Sequence, residues 1–313
     1  MAPADVTADH PHAPRSDAEL WLLLGTGLSG RRIFGELTAA FDQAFGHRYT
    51  VVSTEDLLLG VQGGRLTLHD LTGRPLNAPK VAYARLSSPR VSTDREITVL
   101  RHLRAMGTDL LNPVEAVLAC VNKFWQLQQL AVAGLPVPDT RSYADAPLSE
   151  VLRAGVPEPC VVKAVRGQRG QQVFLAPDAA LLHAIHGNLR PDTPYLFQRY
   201  VAHSHGRDLR VVVVDGQAVA AQIRTAHNGD MRSNLAQGGT ADLCLGRYPA
   251  GETLAIQAAK ALGLGVAGID LLFEQDGSFT ICEVNVNVGW RERMTKVTPA
   301  IVTACQTRLD THT

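Results

Sequence analysis

Residues 268–289 read Gly268-Ile-Asp-Leu-Leu-Phe-Glu-Gln-Asp-Gly-Ser-Phe-Thr-Ile-Cys-Glu-Val-Asn-Val-Asn-Val-Gly289. Two apolar runs flank Asp276-Gly277, and Asp-Gly between alternating hydrophobics signals a β-hairpin. With those two residues as the loop, Gln275 faces Ser278. Counting outward sets Asp270 directly opposite Glu283, and Asn285, two residues on, shares their face. Carboxylates directly opposite each other in a sheet repel. A divalent cation between them would turn that repulsion into a binding site. Mg²⁺ takes one or two carboxylates and completes its octahedron with phosphate oxygens and water, so the hairpin reads as a metal–phosphate platform. A surface hairpin with two solvated acids fits the same letters, and the rest of the chain has to decide.

The whole chain has 313 residues, 45% hydrophobic and 19% charged, an ordinary globular composition with room for two domains or a few small ones. Lys+Arg and Asp+Glu are both 30. That balance argues against a general nucleic-acid or anionic-membrane binder. The five cysteines are scattered and form no CxxC pair, which disfavours a zinc or disulfide framework. No apolar run approaches bilayer length. Residues 1–18 lack a basic stretch followed by an apolar one and read as a disordered tail. The expectation is a cytoplasmic protein.

Upstream, Trp21–Leu24 reads as a buried strand running into Gly25-Thr-Gly-Leu-Ser-Gly30, then a helix to about Phe45 and a strand at Tyr49–Ser53. The glycines fit G-x-G-x-x-G, and Glu55 falls near the distance of a ribose-binding acid. A NAD(P)-dependent oxidoreductase is therefore an open reading. Leu57–Leu71 looks irregular, with short strands around Gly63-Gly64 and Asp70. Val81–Leu86 is a strand, Thr93–Met106 a helix, and Asn112-Pro113 a cap for the next helix. Asn122 caps a helix from Lys123 to about Ala133, stopped by Gly134 and Pro136. Cys160–Ala164 and Val173–Leu175 form a hairpin, as do Leu209–Asp215 and Gln217–Arg224. An Ala-rich helix covers Gly251–Leu262.

Chemistry concentrates between these elements. Lys163 lies in the apolar strand Val-Val-Lys-Ala, where an ammonium needs a counter-charge, either a phosphate or a nearby acid. The loop Arg166-Gly-Gln-Arg-Gly-Gln-Gln172 can drape backbone N–H groups and two arginines over an anion. No Walker loop occurs. His203 and His205 have metal-ligand spacing but read better as solvated loop residues.

The order of these features resembles a known family. A lysine strand, a glycine-rich loop, Gln198-Arg-Tyr-Val201, Asp208-Leu-Arg210, Arg232-Ser-Asn234, Asp270 and Glu283-Val-Asn285 are similar to the ATP-grasp carboxylate–amine ligases. Within them the chain most resembles the RimK-like branch and its N-acetylaspartylglutamate and β-citrylglutamate synthetases. The likeness covers roughly residues 95–290. It implies an α/β (α+β) clamp, an ATP-grasp fold behind a Rossmann-like N-terminal domain. Its expected limits are 19–112 for that domain, 113–193 for the central subdomain with a glycine-rich lid, and 194–313 for the C-terminal subdomain with the metal site.

By the same resemblance Lys123 and Lys163 contact the phosphates of ATP, and Arg166, Gly167 and Gly170 belong to the lid. Gln198, Arg199, Tyr200 and Val201 line the adenine, Asp208 holds the ribose, and Ser233 joins the nucleotide site. Asp270, Glu283 and Asn285 bind two Mg²⁺, with Mn²⁺ a substitute. Arg210, Arg224, Arg232 and Asn234 face the reacting carboxylate and γ-phosphate, although a surface ion pair is the alternative for each arginine. Relatives usually carry Glu-Ala-Asn-Ala-Asn where this chain has Glu283-Val-Asn-Val-Asn287, which leaves the ligands intact. Gln171 stands where a lysine is common, and the loop Thr225–Met231 differs, so the acceptor is not copied over. The implied activity is phosphorylation of a carboxylate to an acylphosphate, then capture by an amine, with glutamate as the amine. The acid would be small, such as N-acetylaspartate or citrate, or a peptide or protein C-terminus. A homo-oligomer is left open, and a non-catalytic nucleotide-binding module is a third reading.

Overall fold

The structure, a computed structural model, describes residues 15, 17–28, 32–86, 91–167, 172–186, 189, 194–227, 229–231, 233 and 238–312. The chain divides into two compact units. One comprises the residues up to 87, Ser92–Leu111 and Cys305 onward; the other contains Asn112–Ala304.

In the first unit, β1 (Leu20–Leu24) is buried along its whole length. It lies between β2 (Tyr49–Ser53) and β5 (Val81–Arg85), parallel to both, with β6 (Asp109–Leu110) beyond. Helix α1 (Arg32–Phe45) links β1 to β2. A strand buried on both faces needs a continuous apolar run, which Leu-Trp-Leu-Leu-Leu supplies. Between β2 and β5 the short strands expected around Gly63-Gly64 are found, and they form a regular hairpin, β3 (Leu57–Gln62) and β4 (Arg65–Asp70), where irregular structure was also expected. Gly63 and Gly64 both take positive φ, 53° and 75°, as a two-residue primed turn requires. Its strands mix exposed and part-buried positions, so their alternation is weak in sequence. Helix α2 (Glu96–Ala105) completes the connection to β6.

The second unit opens with α3 (Val114–Val121) and α4 (Lys123–Val132). Asn122 caps α4, its Oδ1 accepting from the N–H groups of Phe124 and Trp125 at 2.9 and 3.2 Å. The expected Asn112 cap of α3 does not form: Pro113 is the cap residue. Buried Asn112 instead donates to the carbonyl of Val266 and accepts from its N–H, at 2.9 and 2.8 Å.

A four-stranded sheet follows, ordered β7-β10-β8-β9: β7 (Thr140–Arg141), β8 (Cys160–Ala164), β9 (Val173–Ala176) and β10 (Tyr195–Arg199). The helices α5 (Leu148–Arg153) and α6 (Ala179–His186) contribute Val151 and Leu182 to its core. The second sheet is antiparallel throughout, ordered β13-β12-β11-β14-β15: β11 (Arg207–Val214), β12 (Gln217–Thr225), β13 (Thr240–Leu243), β14 (Val266–Phe273) and β15 (Phe279–Asn285). One face carries Leu209, Val211, Ala221, Ile269 and Leu271 against α7 (Pro249–Ala261). Gly251 of α7 has no room for a side chain; a Cβ there would lie 2.8 Å from Leu209 Cδ2. The last helix is α8 (Val297–Thr311). No helix among the described residues is long and apolar enough to cross a membrane. All five cysteines are free thiols.

Candidate active site

Alternation along β11, β12 and β14 leaves the face away from α7 to the even-numbered residues Asp208, Arg210, Gln222, Arg224 and Asp270. The register forms one cross-strand row: Gln222 opposite Arg210, Arg210 opposite Asp270, and Asp270 opposite Glu283. The expected pairing of the two acids therefore holds, but by a different route. The turn is one residue longer than expected, with Phe273 opposite Phe279 and Glu274 N–H bonded to the Ser278 carbonyl at 3.0 Å. A bulge that leaves Cys282 unpaired, between Leu271↔Ile281 and Asp270↔Glu283, restores the count. Asn285 lies opposite Gly268, and its amide nitrogen comes within 3.5 Å of Asp270. Gly268 must be glycine, because a Cβ would sit 2.6 Å from Val288.

The facing acids do not meet bare. Arg210 forks onto both oxygens of Asp270 at 2.6 Å each, and Arg224 adds a third contact at 3.0 Å. Arg224 also binds both oxygens of Asp208, where the Ser233 hydroxyl contributes a further hydrogen bond. Glu283 pairs with Lys123 at 3.3 Å. Burial opposes ionisation of Asp270, but Arg210 and Arg224 outweigh it and hold that carboxyl below the ordinary range. Burial pushes Asp208 up against the pull of Arg224. It would lower Arg224, yet Asp270 and Asp208 raise that guanidinium further above its usual value. The ion-pair alternative thus describes Arg210 and Arg224, though the pairs are buried and lie within the row.

The first sheet of this unit supplies the lysines. Lys163 donates to Gln198 Oε1 at 2.7 Å and approaches Cys282 Sγ at 3.5 Å. Among the described residues it has no carboxylate partner, so the nearby-acid alternative does not apply. Gln198, fully buried, passes its own amide hydrogen to Thr140 at 3.0 Å. Lys123, the first residue of α4, also donates to the Gly167 carbonyl at 2.8 Å, tying the start of the loop after β8 to β15. Arg166 is exposed. Arg199 pairs with Glu274 at 2.7 Å. Tyr200 hydrogen-bonds His205, whose other ring nitrogen meets the Gly229 carbonyl. Val201 is buried just after β10. Gly170, Gln171, Arg232 and Asn234 lie outside the described residues, as does Gly30 of the glycine motif.

Several residues of this site have no signal in the motifs. Gln126 of α4 accepts from the Val284 N–H at 2.5 Å and so fixes the strand just past the bulge. Cys282 reaches Lys163 only because of that bulge, and burial pushes its thiol up despite the lysine. Gln222 does carry a signal, its parity with Arg224 in an otherwise apolar strand. No group of three or more His, Cys, Asp or Glu able to hold a metal occurs among the described residues. His203 and His205 make no such site. Asp270, Glu283 and Asn285 are all-oxygen donors, which fits a hard cation whose remaining ligands are phosphate oxygens and water.

A model of the RimK-like ATP-grasp domain matches residues 120–304, the stretch that holds both sheets and every residue of this row. The chain belongs to the RimK-like ATP-grasp family. Its relatives include N-acetylaspartylglutamate synthase A of Mus musculus, 45% identical over 246 residues, covering 77% of this chain and 64% of that protein. Beta-citrylglutamate synthase B of Homo sapiens is 44% identical over 246 residues, covering 77% and 63%. The match spans less than two thirds of the length of these relatives. Among solved structures, the ATP-grasp ligase PsnB complexed with a minimal precursor superposes with a TM-score of 0.67 over 94% of this chain and 99% of that one, at 20% identity. The ATP-grasp fold expected from the motif order is the fold observed.

Proposed function

We propose that this RimK-like ATP-grasp protein is an ATP- and Mg²⁺-dependent ligase that joins a carboxylic acid to an amino acid, with glutamate as the amine. The acid is a small polyanion of the N-acetylaspartate or citrate kind. The observation that carries this is the row Arg210–Asp270–Glu283, flanked by Arg224, Lys123 and Lys163. A carboxylate is a poor electrophile, and its phosphorylation requires charge to be neutralised on the transferring phosphoryl group. In this reading Lys123 and Lys163 bind phosphate oxygens, and Asp270, Glu283 and Asn285 hold the cation. Mg²⁺, when bound, would withdraw charge from the transferring phosphoryl group. Arg210 and Arg224 orient the acid, since guanidinium forks match carboxylates. They are already locked onto Asp270 and Asp208, so they meet substrate without first being ordered. Asp208 reaches a ribose only through an oxygen shared with Arg224. The loop from Arg166 to Gln172 excludes water from an acylphosphate that water would hydrolyse.

A dinucleotide reading leaves the lysines and the acid row without a purpose. The test is phosphate release from Mg-ATP and glutamate with a panel of small acids and peptide C-termini, products weighed by mass spectrometry. Amide formation with a small acid is the expected result. Turnover only with peptides would move the acceptor class, and stabilisation by NAD but not by Mg-ATP would overturn the ligase reading.

A further inference from the structure

One buried acceptor on the reactive face has no partner among the described residues. Gln222 is 3% exposed, and its Oε1 finds no donor among the described residues. Its backbone stands opposite Arg210, at the end of the row away from Glu283, and Arg224 follows two residues later on the same face. The sheet's other face is the one filled by Leu209, Val211, Ala221 and Ile269 against α7, so Gln222 is no part of that core. A buried amide oxygen without a hydrogen bond is costly, and native proteins rarely keep one without a reason. Methionine would fill nearly the same volume without that cost.

We propose that Gln222 reads the substrate: its Oε1 accepts a hydrogen bond from an N–H or O–H group of the molecule seated over Arg210. This rests on the ligase reading above. Arg210, Arg224 and the lysines can only donate, and so recognise carboxylate and phosphate oxygens. The buried acids of the same face, Asp208 and Asp270, already hold guanidinium groups. Gln222 supplies the neutral acceptor in the row. Joining a carboxylate to an amine brings an N–H donor to this face, and an acid bearing an amide or hydroxyl brings another.

Kinetics tell these two sources apart. The full chain carrying Gln222→Met is compared with wild type by phosphate release, varying the amino acid, the acid and ATP in turn, together with thermal denaturation of the free protein. Loss of the acceptor should raise KM for one substrate roughly ten- to a hundredfold and leave KM for ATP within about twofold. The melting temperature of the free protein should hold or rise. An effect on the amino-acid arm assigns the donor to the amine, and an effect on the acid arm assigns it to the acid. Gln222→Glu, which keeps an oxygen at the same reach, should recover most of the lost KM. Unchanged KM for both substrates in Q222M overturns the inference and leaves the ligase reading standing. So does a Q222M protein that melts early, fails to fold or loses ATP binding in parallel, because Gln222 is then a packing residue. A wild-type protein that releases no phosphate with any acid and amine removes both.

Discussion

Replacing Glu283 with alanine should stop turnover and leave the fold almost untouched. Its side chain is 30% exposed, and the ion pair it makes is with Lys123 at 3.3 Å. At that separation the dielectric of water gives about 1.3 kcal/mol. Part-exposed pairs deliver roughly 0–1 kcal/mol once entropy and screening are counted. Lys123 keeps its bond to the Gly167 carbonyl, and Asp270 loses a like-charged neighbour directly opposite. The net change should be under about 1 kcal/mol, a fall in melting temperature of no more than about 4 °C for a unit of this size. Asp270 is the contrast. It is 6% exposed and takes both Arg210 and Arg224, so its removal leaves part-buried Arg210 without its carboxylate and breaks the ion-pair network at about 3–5 kcal/mol. Glu283 is thus the acid that separates chemistry from stability. Phosphate release at saturating Mg-ATP should fall by at least about a hundredfold, as when one electrostatic stabiliser of a developing charge is removed. Calorimetry on the same preparation reads the fold. Turnover within about tenfold of wild type would refute the assignment of Glu283 to the metal–phosphate site. A melting temperature lowered by more than about 10 °C would refute the energetic reasoning.

Arg224→Met should destabilise the second unit by about 3–5 kcal/mol in urea denaturation, because it leaves buried Asp208 without its fork; a wild-type midpoint would count against the buried pair. Gln126→Leu should cost about 1–3 kcal/mol, since the buried Val284 N–H loses its acceptor. Lys163→Met should weaken Mg-ATP at least about tenfold by calorimetric titration; it should also lower the melting temperature by roughly 2–12 °C, because the buried Gln198 Oε1 loses its donor. In the first unit, Asp70 has a carboxyl lowered from 3.8 to about 2, chiefly by the Thr72 hydroxyl, with the N–H groups of Arg74 and Thr72 and the Arg74 side chain adding to it. A depressed carboxyl stabilises the fold above its unfolded pKa and stops doing so as pH falls through the folded one. Its carbon NMR titration should therefore centre near 2, and acid should destabilise wild type more than Asp70→Asn between about pH 4 and 2.

Alternation and punctuation made most of this fold legible. The strand read at Trp21–Leu24 and the Asn122 cap follow from local rules; the acid pairing holds, but through a longer turn and a bulge that those rules do not give. Part of what escaped was set by partners distant in sequence. Asn112 looks like a helix cap because Asx-Pro starts helices, yet its amide is claimed by Val266, 154 residues away. The β3–β4 hairpin is half-exposed, so its periodicity fades. The loop at Asp276-Gly277 took three residues because Asp276 turns its carboxylate onto the Ser278 N–H and hydroxyl, at 2.9 and 2.6 Å. At Asp215-Gly216, by contrast, both residues take positive φ, 47° and 76°, and a two-residue turn forms. Asp-Gly signals a turn without fixing its length.

That difference bears on the site. A three-residue turn with unbroken pairing would set Asp270 opposite Cys282, and Glu283 would shift to the other face. The bulge prevents this and also swings Cys282 toward Lys163, the contact that links the two sheets of this unit at the row. Gln126 then takes the Val284 N–H beside the irregularity. The bulge therefore sets both the acid pairing and the place of the lysine. Among the described residues, three carboxylates (Asp208, Asp270, Glu283) share this region with four cations (Arg210, Arg224, Lys123, Lys163). The surplus is positive, and under the proposed ligase reading it would draw in an anion, with a nucleotide carrying its own cation matching both halves of that charge pattern.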